Sequence, residues 1–330
     1  MINVAVVGTG SMGKNHARVY AQLENVNLVA VSDLNKETGK AVADQCGCKY
    51  YSDFKEMLET ETIDAVSVVV PTKFHKDVAV ECIKRGKNVL VEKPIALNAD
   101  EANEVIRAAE ENKIKLMVGH IERFNPAVQK LREIIKNGTL GEITSVICRR
   151  VGPFPPRIQD ANVVVDLAVH DIDVCTYLLD KKPKKVFATA GRALNSTRED
   201  YADMILNYED GLSAFVQVNW ITPTKIRKVN ITGTRGYAEL NYITQELVIY
   251  KTDLVKPENF DEIVKMGTPK AETVEIVKTE PLIAELNSFI NCVNGSKCES
   301  SGKDALNSLI IANSAIDSYG KNENMEINYE

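Results

Sequence analysis

The stretch INVAVVGTGSMG, residues 2–13, decides the fold of this 330-residue chain. Its apolar run from Ile2 to Val7 is typical of a strand that is buried on both faces. The glycines that follow have the spacing G-x-G-x-x-G and lead into a segment with helical period, Met12–Leu23. Such a turn lets the backbone approach a pyrophosphate, which the N–H groups at the helix start attract. The stretch therefore predicts a dinucleotide site at the opening of a Rossmann fold.

The alternation of strand and helix continues to about residue 120, as in a parallel sheet covered by helices on both faces. The strand-like runs are Asn3–Val7, Leu28–Ser32, Ala65–Val70, Asn88–Val91 and Lys115–Val118. The helical segments are Met12–Leu23, Lys36–Gln45, Phe54–Leu58, Lys73–Arg85 and Ala99–Asn112. Residues 1–120 are therefore predicted to form an α/β domain with a doubly wound parallel sheet.

Beyond residue 120 strands dominate, and turn signals separate them. The predicted strands are Ile143–Arg149, Lys184–Ala190, Tyr201–Tyr208, Ser213–Val218, Arg227–Thr232, Gly236–Asn241 and Glu246–Tyr250. The predicted helices are Pro126–Lys136, Val163–Leu179, Pro281–Val293 and Lys303–Tyr319. Residues 121–330 are expected to form a C-terminal α+β domain on an open, mainly antiparallel sheet, and the last helices can pack back on the first domain.

The composition excludes several classes of function. A net charge of -6 disfavours nucleic acid as a partner. No apolar stretch approaches the roughly 20 residues that a membrane span needs. The chain enters a strand at once, which predicts no secretion signal. Seven scattered cysteines without zinc spacing are typical of reduced thiols, so we expect a cytoplasmic protein.

The choice between the two nicotinamide cofactors depends on Asp33, which ends the second strand twenty residues after Gly13. A carboxylate there accepts hydrogen bonds from ribose hydroxyls and repels a 2′-phosphate, so NAD is favoured over NADP. Lys36 nearby leaves some tolerance for the phosphate. Further cofactor contacts are expected where later strands end. The predicted cofactor-binding residues are Gly8, Thr9, Gly10, Ser11, Met12, Gly13, Asp33, Pro71, Thr72, His75, Glu92 and Lys93.

Two places in the sequence offer chemistry for oxidising an alcohol, which needs a base for the hydroxyl proton. Lys93, in Glu92-Lys93-Pro94, follows the fifth strand, where it can reach a cleft or remain a surface lysine. Asp166 and His170 lie four residues apart on a predicted helix and so share a face. An imidazole beside a carboxylate is a common general base, and a hydrogen-bonded core histidine is the alternative. We predict no metal site.

Taken together, the glycine turn, Asp33, Glu92-Lys93-Pro94, the segment 119–126 and Asp166-x-x-x-His170 resemble the Gfo/Idh/MocA oxidoreductases over essentially the whole chain. The resemblance implies a Rossmann domain followed by an α+β domain, with Lys93, Asp166 and His170 as the catalytic set. It also implies a homodimer or homotetramer that assembles through the C-terminal sheet.

Within this family, residues 150–158 followed by 166–173 resemble the nucleotide-sugar branch, which oxidises the 3-hydroxyl of UDP-N-acetylglucosamine or its uronic acid in glycan biosynthesis. Ala168 departs from this branch because a glycine is common there. A diphosphate substrate needs cations, although a salt bridge is as good an explanation for each arginine, and hinge packing for His120. The expected substrate-binding residues are Lys93, His120, Arg123, Arg150, Arg157, Asn162 and His170.

The sequence thus predicts an NAD-dependent dehydrogenase of a UDP-sugar hydroxyl. One alternative is the same chemistry on a free polyol such as inositol. A second alternative is an NAD-binding sensor without turnover, which would have no use for Lys93 or His170.

Overall fold

The computed structural model describes residues 1–154, 161–194, 197–251, 254–255, 265–266 and 268–329. The chain divides into two compact units. The first unit combines Met1–Ile121 with Glu280–Leu309, and the second combines Glu122–Thr279 with Ile310–Glu330.

The elements up to residue 120 alternate between strand and helix. They are β1 (Ile2–Val7), α1 (Gly13–Gln22), β2 (Val26–Ser32), α2 (Lys36–Cys46), β3 (Lys49–Tyr51), α3 (Phe54–Thr60), β4 (Ala65–Val68), α4 (His75–Lys84), β5 (Asn88–Glu92), α5 (Ala99–Glu111) and β6 (Leu116–Gly119). Side chains that accept hydrogen bonds from free N–H groups fix several helix starts, as Asn35 does for α2 and Asn98 for α5.

The first unit is built on a six-stranded parallel sheet of order β3-β2-β1-β4-β5-β6. The order reverses between β1 and β4, and ligands of such sheets bind beyond the carboxyl ends of the strands at this point. The predicted doubly wound sheet is confirmed. The sequence analysis missed only the edge strand β3, whose three residues are too few to show a period.

The remaining elements include α8, which belongs to the first unit. They are α6 (Pro126–Lys136), β7 (Ile143–Pro153), α7 (Val169–Leu179), β8 (Lys185–Gly191), β9 (Tyr201–Asn207), β10 (Ser213–Asn219), β11 (Ile221–Gly233), β12 (Gly236–Asn241), β13 (Glu246–Lys251), β14 (Leu254–Val255), β15 (Lys265–Met266), β16 (Lys270–Thr273), α8 (Pro281–Val293), α9 (Gly302–Lys321) and β17 (Met325–Glu326).

The second unit is built on a nine-stranded sheet of order β16-β13-β12-β11-β7-β10-β9-β8-β17. Among its described strand pairs only β7 and β10 run parallel, so the predicted open, mainly antiparallel sheet is confirmed. Helices α6 and α7 pack on one face. The strands alternate accordingly: Val146 and Cys148 are buried, whereas Ile147 and Arg149 are exposed.

The predicted helix Val163–Leu179 is not a regular α-helix. Its first turn, Val164–Ala168, is a π-helix that continues into α7. The wider π-turn changes the angle between residues four positions apart, so the shared face of Asp166 and His170 stays a prediction. Turns of this kind occur frequently at functional sites.

The expectation of reduced cysteines is wrong for one pair, because Cys292 and Cys298 form a disulfide whose Cα atoms are 5.0 Å apart. The other five cysteines are free thiols. Among the described residues, no helix combines the length and the apolar content that crossing a membrane requires.

Candidate functional site

The glycine turn has the backbone geometry of a phosphate-binding loop. Gly8 has a φ of +95°, and a Cβ atom there would lie 2.4 Å from the carbonyl oxygen of Val69. A Cβ atom on Gly13 would lie 1.8 Å from the carbonyl oxygen of Gly8, which any other residue would push away. A Cβ atom on Gly10 would meet no atom within 4 Å. The turn is therefore tight at both ends and open in the middle, where a pyrophosphate needs room.

Asp33 is held in place beside this turn. Its Oδ2 atom accepts hydrogen bonds from the backbone N–H of Thr9 at 2.7 Å and from the Thr9 hydroxyl at 2.8 Å. Its Oδ1 atom accepts from the backbone N–H of Asn35 at 2.8 Å. Each carboxylate oxygen can accept more than one hydrogen bond, so Asp33 keeps capacity for ribose hydroxyls. The donor set fits an NAD molecule. The roles of Ser11, Met12, Pro71 and Thr72 stay predictions.

His75 does not have the geometry of a cofactor ligand. It is 1% exposed. Its Nδ1 atom lies 2.7 Å from the carbonyl oxygen of Pro94, and its Nε2 atom lies 2.8 Å from that of Val70. Both ring nitrogens are thus engaged with the backbone, which leaves the predicted cofactor contact without geometric support. Burial lowers the pKa of His75, and the hydrogen bonds to the two carbonyls oppose that effect.

Lys93 is half-buried and lies between two buried residues, Glu92 and Pro94. Its peptide bond to Pro94 is cis. The carboxylate of Glu92 accepts from the backbone N–H of Lys93 at 3.1 Å, and its other oxygen lies 3.1 Å from Nε2 of His16. Burial raises the pKa of Glu92, but the hydrogen bond from His16 and the nearby cations outweigh it, so the net pKa is lowered. Glu92 is therefore a carboxylate that supports the backbone of Lys93.

A second buried carboxylate lies close to His16 and Glu92. Glu285 on α8 is fully buried, and one ligand atom each from His16, Glu92 and Glu285 lies within 4.8 Å of the other two. We call these three residues the His16 cluster. Sequence reasoning missed His16 and Glu285, although a histidine on the buried face of α1, next to Ala17, was a usable signal.

In the second unit, Asp166 and His170 are the polar side chains of the π-turn and α7 that stay partly accessible within the segment 163–174. Their apolar neighbours Val164, Leu167 and Ala168 are buried. A base has to meet its substrate, so this exposure suits the predicted roles.

Asp173 does not join them. Its carboxylate is buried and accepts from Nε and Nη2 of Arg123 at 2.8 and 2.7 Å. Two donors of Arg123 are thus used inside the unit, which leaves the predicted substrate contact of Arg123 without geometric support.

Arg150 is also engaged internally. It donates from Nε and Nη2 to Asp171 at 2.8 and 3.0 Å, and from Nη1 to Glu122 at 2.9 Å. Its guanidinium lies 5.0 Å from the ring centroid of Tyr242. Because Arg150 is only 3% exposed, its predicted contact with a diphosphate has no support in the geometry. Arg149, the preceding residue of β7, is exposed on the opposite face of the sheet. We call Arg123, Arg150, Glu122, Asp171 and Asp173 the arginine network.

The other predicted substrate residues have mixed outcomes. Asn162 caps the π-turn, since its side-chain oxygen accepts from the backbone N–H groups of Val164 and Val165 at 3.1 Å each. His120 is buried, and its predicted role is untested. Arg157 lies outside the described residues.

Arg227 is a cation that sequence reasoning missed. It lies directly opposite Arg150 in the β7–β11 pairing, so the two side chains share a sheet face. Arg227 is partly exposed as a residue, but its Nη1 atom is buried and has no hydrogen-bond partner among the described residues. Burial lowers the pKa of Arg227 to about 10, so it remains a cation at neutral pH. Arg227 lies two residues before the buried Val229 and four before Ile231. In a strand this spacing indicates that the three side chains lie on the same face, which the sequence could have shown.

Comparison with known proteins gives the same family for both units. The family model for the oxidoreductase family with an NAD-binding Rossmann fold matches residues 2–120, and the model for the GFO/IDH/MocA C-terminal domain matches residues 128–239.

Two curated relatives are similar over most of their length. A UDP-N-acetylglucosamine 3-dehydrogenase of Acidithiobacillus ferrooxidans is 30% identical over 88% of this chain and 88% of its own. An inositol 2-dehydrogenase of Rhizobium meliloti (strain 1021) is 27% identical over 99% of each chain. A solved structure of the UDP-N-acetylglucosamine 3-dehydrogenase from A. ferrooxidans superposes with a TM-score of 0.85 and 27% identity, covering 96% of this chain and 97% of that one.

Proposed function

The chain belongs to the Gfo/Idh/MocA oxidoreductase family, and from that premise we propose that it oxidises the 3-hydroxyl of UDP-N-acetylglucosamine. Membership confirms the predicted enzyme class, an NAD-dependent dehydrogenase acting on sugar or polyol hydroxyls, and the predicted cofactor NAD. The observation that carries the chemistry is the partly exposed pair Asp166 and His170 on a helix turn whose other side chains are mostly buried.

In this proposal His170 takes the proton of the hydroxyl while the C–H bond breaks, which leaves a 3-keto sugar. Asp166 orients the imidazole and stabilises its protonated form. Lys93 donates a hydrogen bond to the developing alkoxide. Bound NAD supplies the acceptor for the hydride. Gly8, Gly10, Gly13 and Asp33 would hold its pyrophosphate and ribose.

The choice of a nucleotide sugar rests on the 30% identical relative and on Arg227. A diphosphate needs a cation with free hydrogen-bonding capacity. The arginine network uses its charges internally, whereas Arg227 lies on the same side of the sheet, is partly exposed, and has a buried Nη1 atom without a hydrogen-bond partner among the described residues.

A free polyol such as inositol is the second candidate. A relative that is an inositol 2-dehydrogenase matches 99% of this chain. The internal pairing of Arg123 and Arg150 also removes two of the cations expected to attract a diphosphate.

A substrate contest decides between them. NADH absorbance is followed with UDP-N-acetylglucosamine, N-acetylglucosamine or myo-inositol, each with NAD or NADP. We expect a signal that needs both NAD and the UDP-sugar. Turnover of myo-inositol alone would replace the nucleotide sugar by the polyol, and NADP use without NAD use would contradict the role of Asp33.

We further propose that the protein is a homodimer or homotetramer that assembles through the second unit's sheet. Ile147 and Phe215, 49% and 43% exposed, are neighbours on the outer face, and the row continues through Ile205 to Phe187. An apolar row of this kind is typical of an interface. Light scattering should show an oligomer that Phe215→Glu dissociates, and a monomeric parent protein would refute the proposal. The cytoplasmic location stays a prediction.

A further inference from the structure

We propose that His16 and His75 are positioning residues for Lys93, because they clamp the two residues on either side of it. The proposal rests on the proposed function in one respect, namely that Lys93 acts on the substrate. Its structural part stands on contacts within the first unit.

His16 holds the residue before Lys93. The histidine is fully buried on α1, and its Nε2 atom lies 3.1 Å from Oε1 of Glu92. The other oxygen of the same carboxylate accepts from the backbone N–H of Lys93 at 3.1 Å. One carboxylate therefore connects a buried imidazole to the peptide nitrogen of the lysine. A charge-assisted hydrogen bond of this kind is stronger than one between neutral groups.

The surroundings leave the Glu92 carboxyl little freedom. Gly119 is its neighbour on β6, and a Cβ atom there would lie 3.1 to 3.2 Å from the carboxyl atoms. The absence of a side chain at Gly119 thus creates the space that the carboxyl group fills. Glu285 lies on the opposite element, α8, with a carboxylate oxygen within 4.8 Å of the other two groups. In such a narrow space the Glu92 carboxyl has few positions open to it, and the one it occupies gives each of its oxygens a hydrogen-bonding neighbour.

His75 holds the residue after Lys93. Its Nδ1 atom lies 2.7 Å from the carbonyl oxygen of Pro94, while Nε2 lies 2.8 Å from the carbonyl oxygen of Val70, just beyond β4. The ring thus ties the loop that follows β5 to the neighbouring strand end. A neutral imidazole has one N–H and can donate to only one of these carbonyls, whereas the protonated ring can donate to both.

The two contacts fix the backbone of Lys93 from both sides. The peptide nitrogen is held through Glu92, and the carbonyl group of the following residue is held through His75. Misplacing a catalytic group by about 1 Å can cost roughly 100-fold in rate. We therefore expect the clamp to act on turnover and much less on the KM of either substrate.

The test compares His16→Ala, His16→Gln and His75→Ala in the full chain, with Ser67→Ala as matched control. Ser67 is a buried residue of the same unit, and its hydroxyl is hydrogen-bonded to Tyr20 at 2.8 Å, so its alanine variant loses a buried hydrogen bond without removing a contact of the clamp. The first readout needs no sugar substrate: the rate at which an acetylating reagent modifies Lys93 in the NAD-bound enzyme, followed by mass spectrometry. The second readout is kcat and KM with UDP-N-acetylglucosamine.

We expect the two alanine variants to change the labelling rate of Lys93 several-fold and to lower kcat by about 10- to 100-fold with little change in KM. The amide of His16→Gln can still donate to Glu92, so this variant should recover most of the parent's labelling rate and most of its kcat. Ser67→Ala should match the parent in both measurements. Unchanged labelling and unchanged kcat in the alanine variants would overturn the proposal. If the alanine variants do not fold, parent-like labelling and kcat in Glu92→Gln would overturn it equally. A parent protein that oxidises no sugar refutes the proposed function alone, because the labelling still decides whether the clamp exists.

Discussion

The His16 cluster and the arginine network are both buried groups of opposite charges, yet only one of them leads to an accessible side chain. In the arginine network, Arg150 and Arg123 each make two hydrogen bonds to an aspartate of α7, and the charges are satisfied within the unit. In the His16 cluster, the Glu92 carboxylate divides its two oxygens between His16 and the backbone of the half-buried Lys93.

This difference separates charged residues that stabilise the fold from those that can contact a substrate. Arg123 and Arg150 were predicted to bind the substrate because a diphosphate needs cations, but an arginine whose hydrogen bonds are used internally stabilises the fold instead. Asp166, His170 and Arg227 are partly exposed and are therefore the better candidates for contact with a substrate.

The largest effect should come from the accessible histidine. His170→Ala should lower kcat with UDP-N-acetylglucosamine by about 100- to 10,000-fold, the scale of positioned acid–base catalysis. Calorimetry should find NAD binding unchanged, and added imidazole should restore part of the rate. Parent-like turnover in this variant would show that His170 is as structural as the arginine network.

Removing an arginine of the arginine network should lower the free energy of unfolding. Arg150→Met leaves the carboxylate of Asp171 buried without its main partner, so we expect the free energy of unfolding to fall by about 3 to 5 kcal/mol. Urea unfolding measures this loss. Arg149→Met, on the exposed face of the same strand, should stay within about 0.5 kcal/mol of the parent. Equal stability of the two variants would remove the structural role of Arg150.

Replacing Arg227 should weaken substrate binding and leave stability unchanged, which is the reverse of the result expected for Arg150. Arg227→Met removes a cation with free capacity, and hydrogen bonds to charged groups contribute about 1.5 to 3 kcal/mol, so the KM for UDP-N-acetylglucosamine should rise roughly 10- to 100-fold. The KM for a free sugar and the urea midpoint should change little. A variant that loses stability but keeps its KM would place Arg227 in the network instead.

The smallest effect concerns the His16 cluster and depends on pH. The lowered pKa of Glu92 means that its ionised form stabilises the folded chain. This contribution is present above the unfolded pKa of about 4.3 and is lost as the pH falls through the lower folded value. Glu92→Gln should cost about 1 kcal/mol at neutral pH, and the difference from the parent should shrink in acid. A pH-independent difference in urea midpoint would argue against an ionised Glu92.

The parts of the fold that depend on local pattern could be predicted from sequence. The glycine turn, the parallel strands and helices such as Pro126–Lys136 and Pro281–Val293 follow from periodicity, Gly and Pro. The partners of charged residues could not be predicted, because Arg123 and Asp173 lie 50 residues apart in sequence and the Arg150–Asp171 contact requires the finished sheet.

Two further features depended on tertiary structure. The π-turn at Val164–Ala168 has no distinct pattern in a run of valine, leucine and alanine. The Cys292–Cys298 disulfide was missed because the cysteines were judged by their number, their scatter and their lack of zinc spacing, none of which shows which two meet in the fold. By contrast, the two-residue spacing that places Arg227 on the same sheet face as the buried Val229 was visible in the sequence and was overlooked.

The transfer of hydride from the sugar is the central claim, and isotopic labelling tests it most directly. UDP-N-acetylglucosamine carrying deuterium at C3 is incubated with NAD and the full chain, and the reduced cofactor is examined by mass spectrometry. The account predicts that the reduced cofactor carries the deuterium and that the sugar becomes a 3-keto product. Reduced cofactor without deuterium, formed while the sugar is consumed, would contradict oxidation at C3.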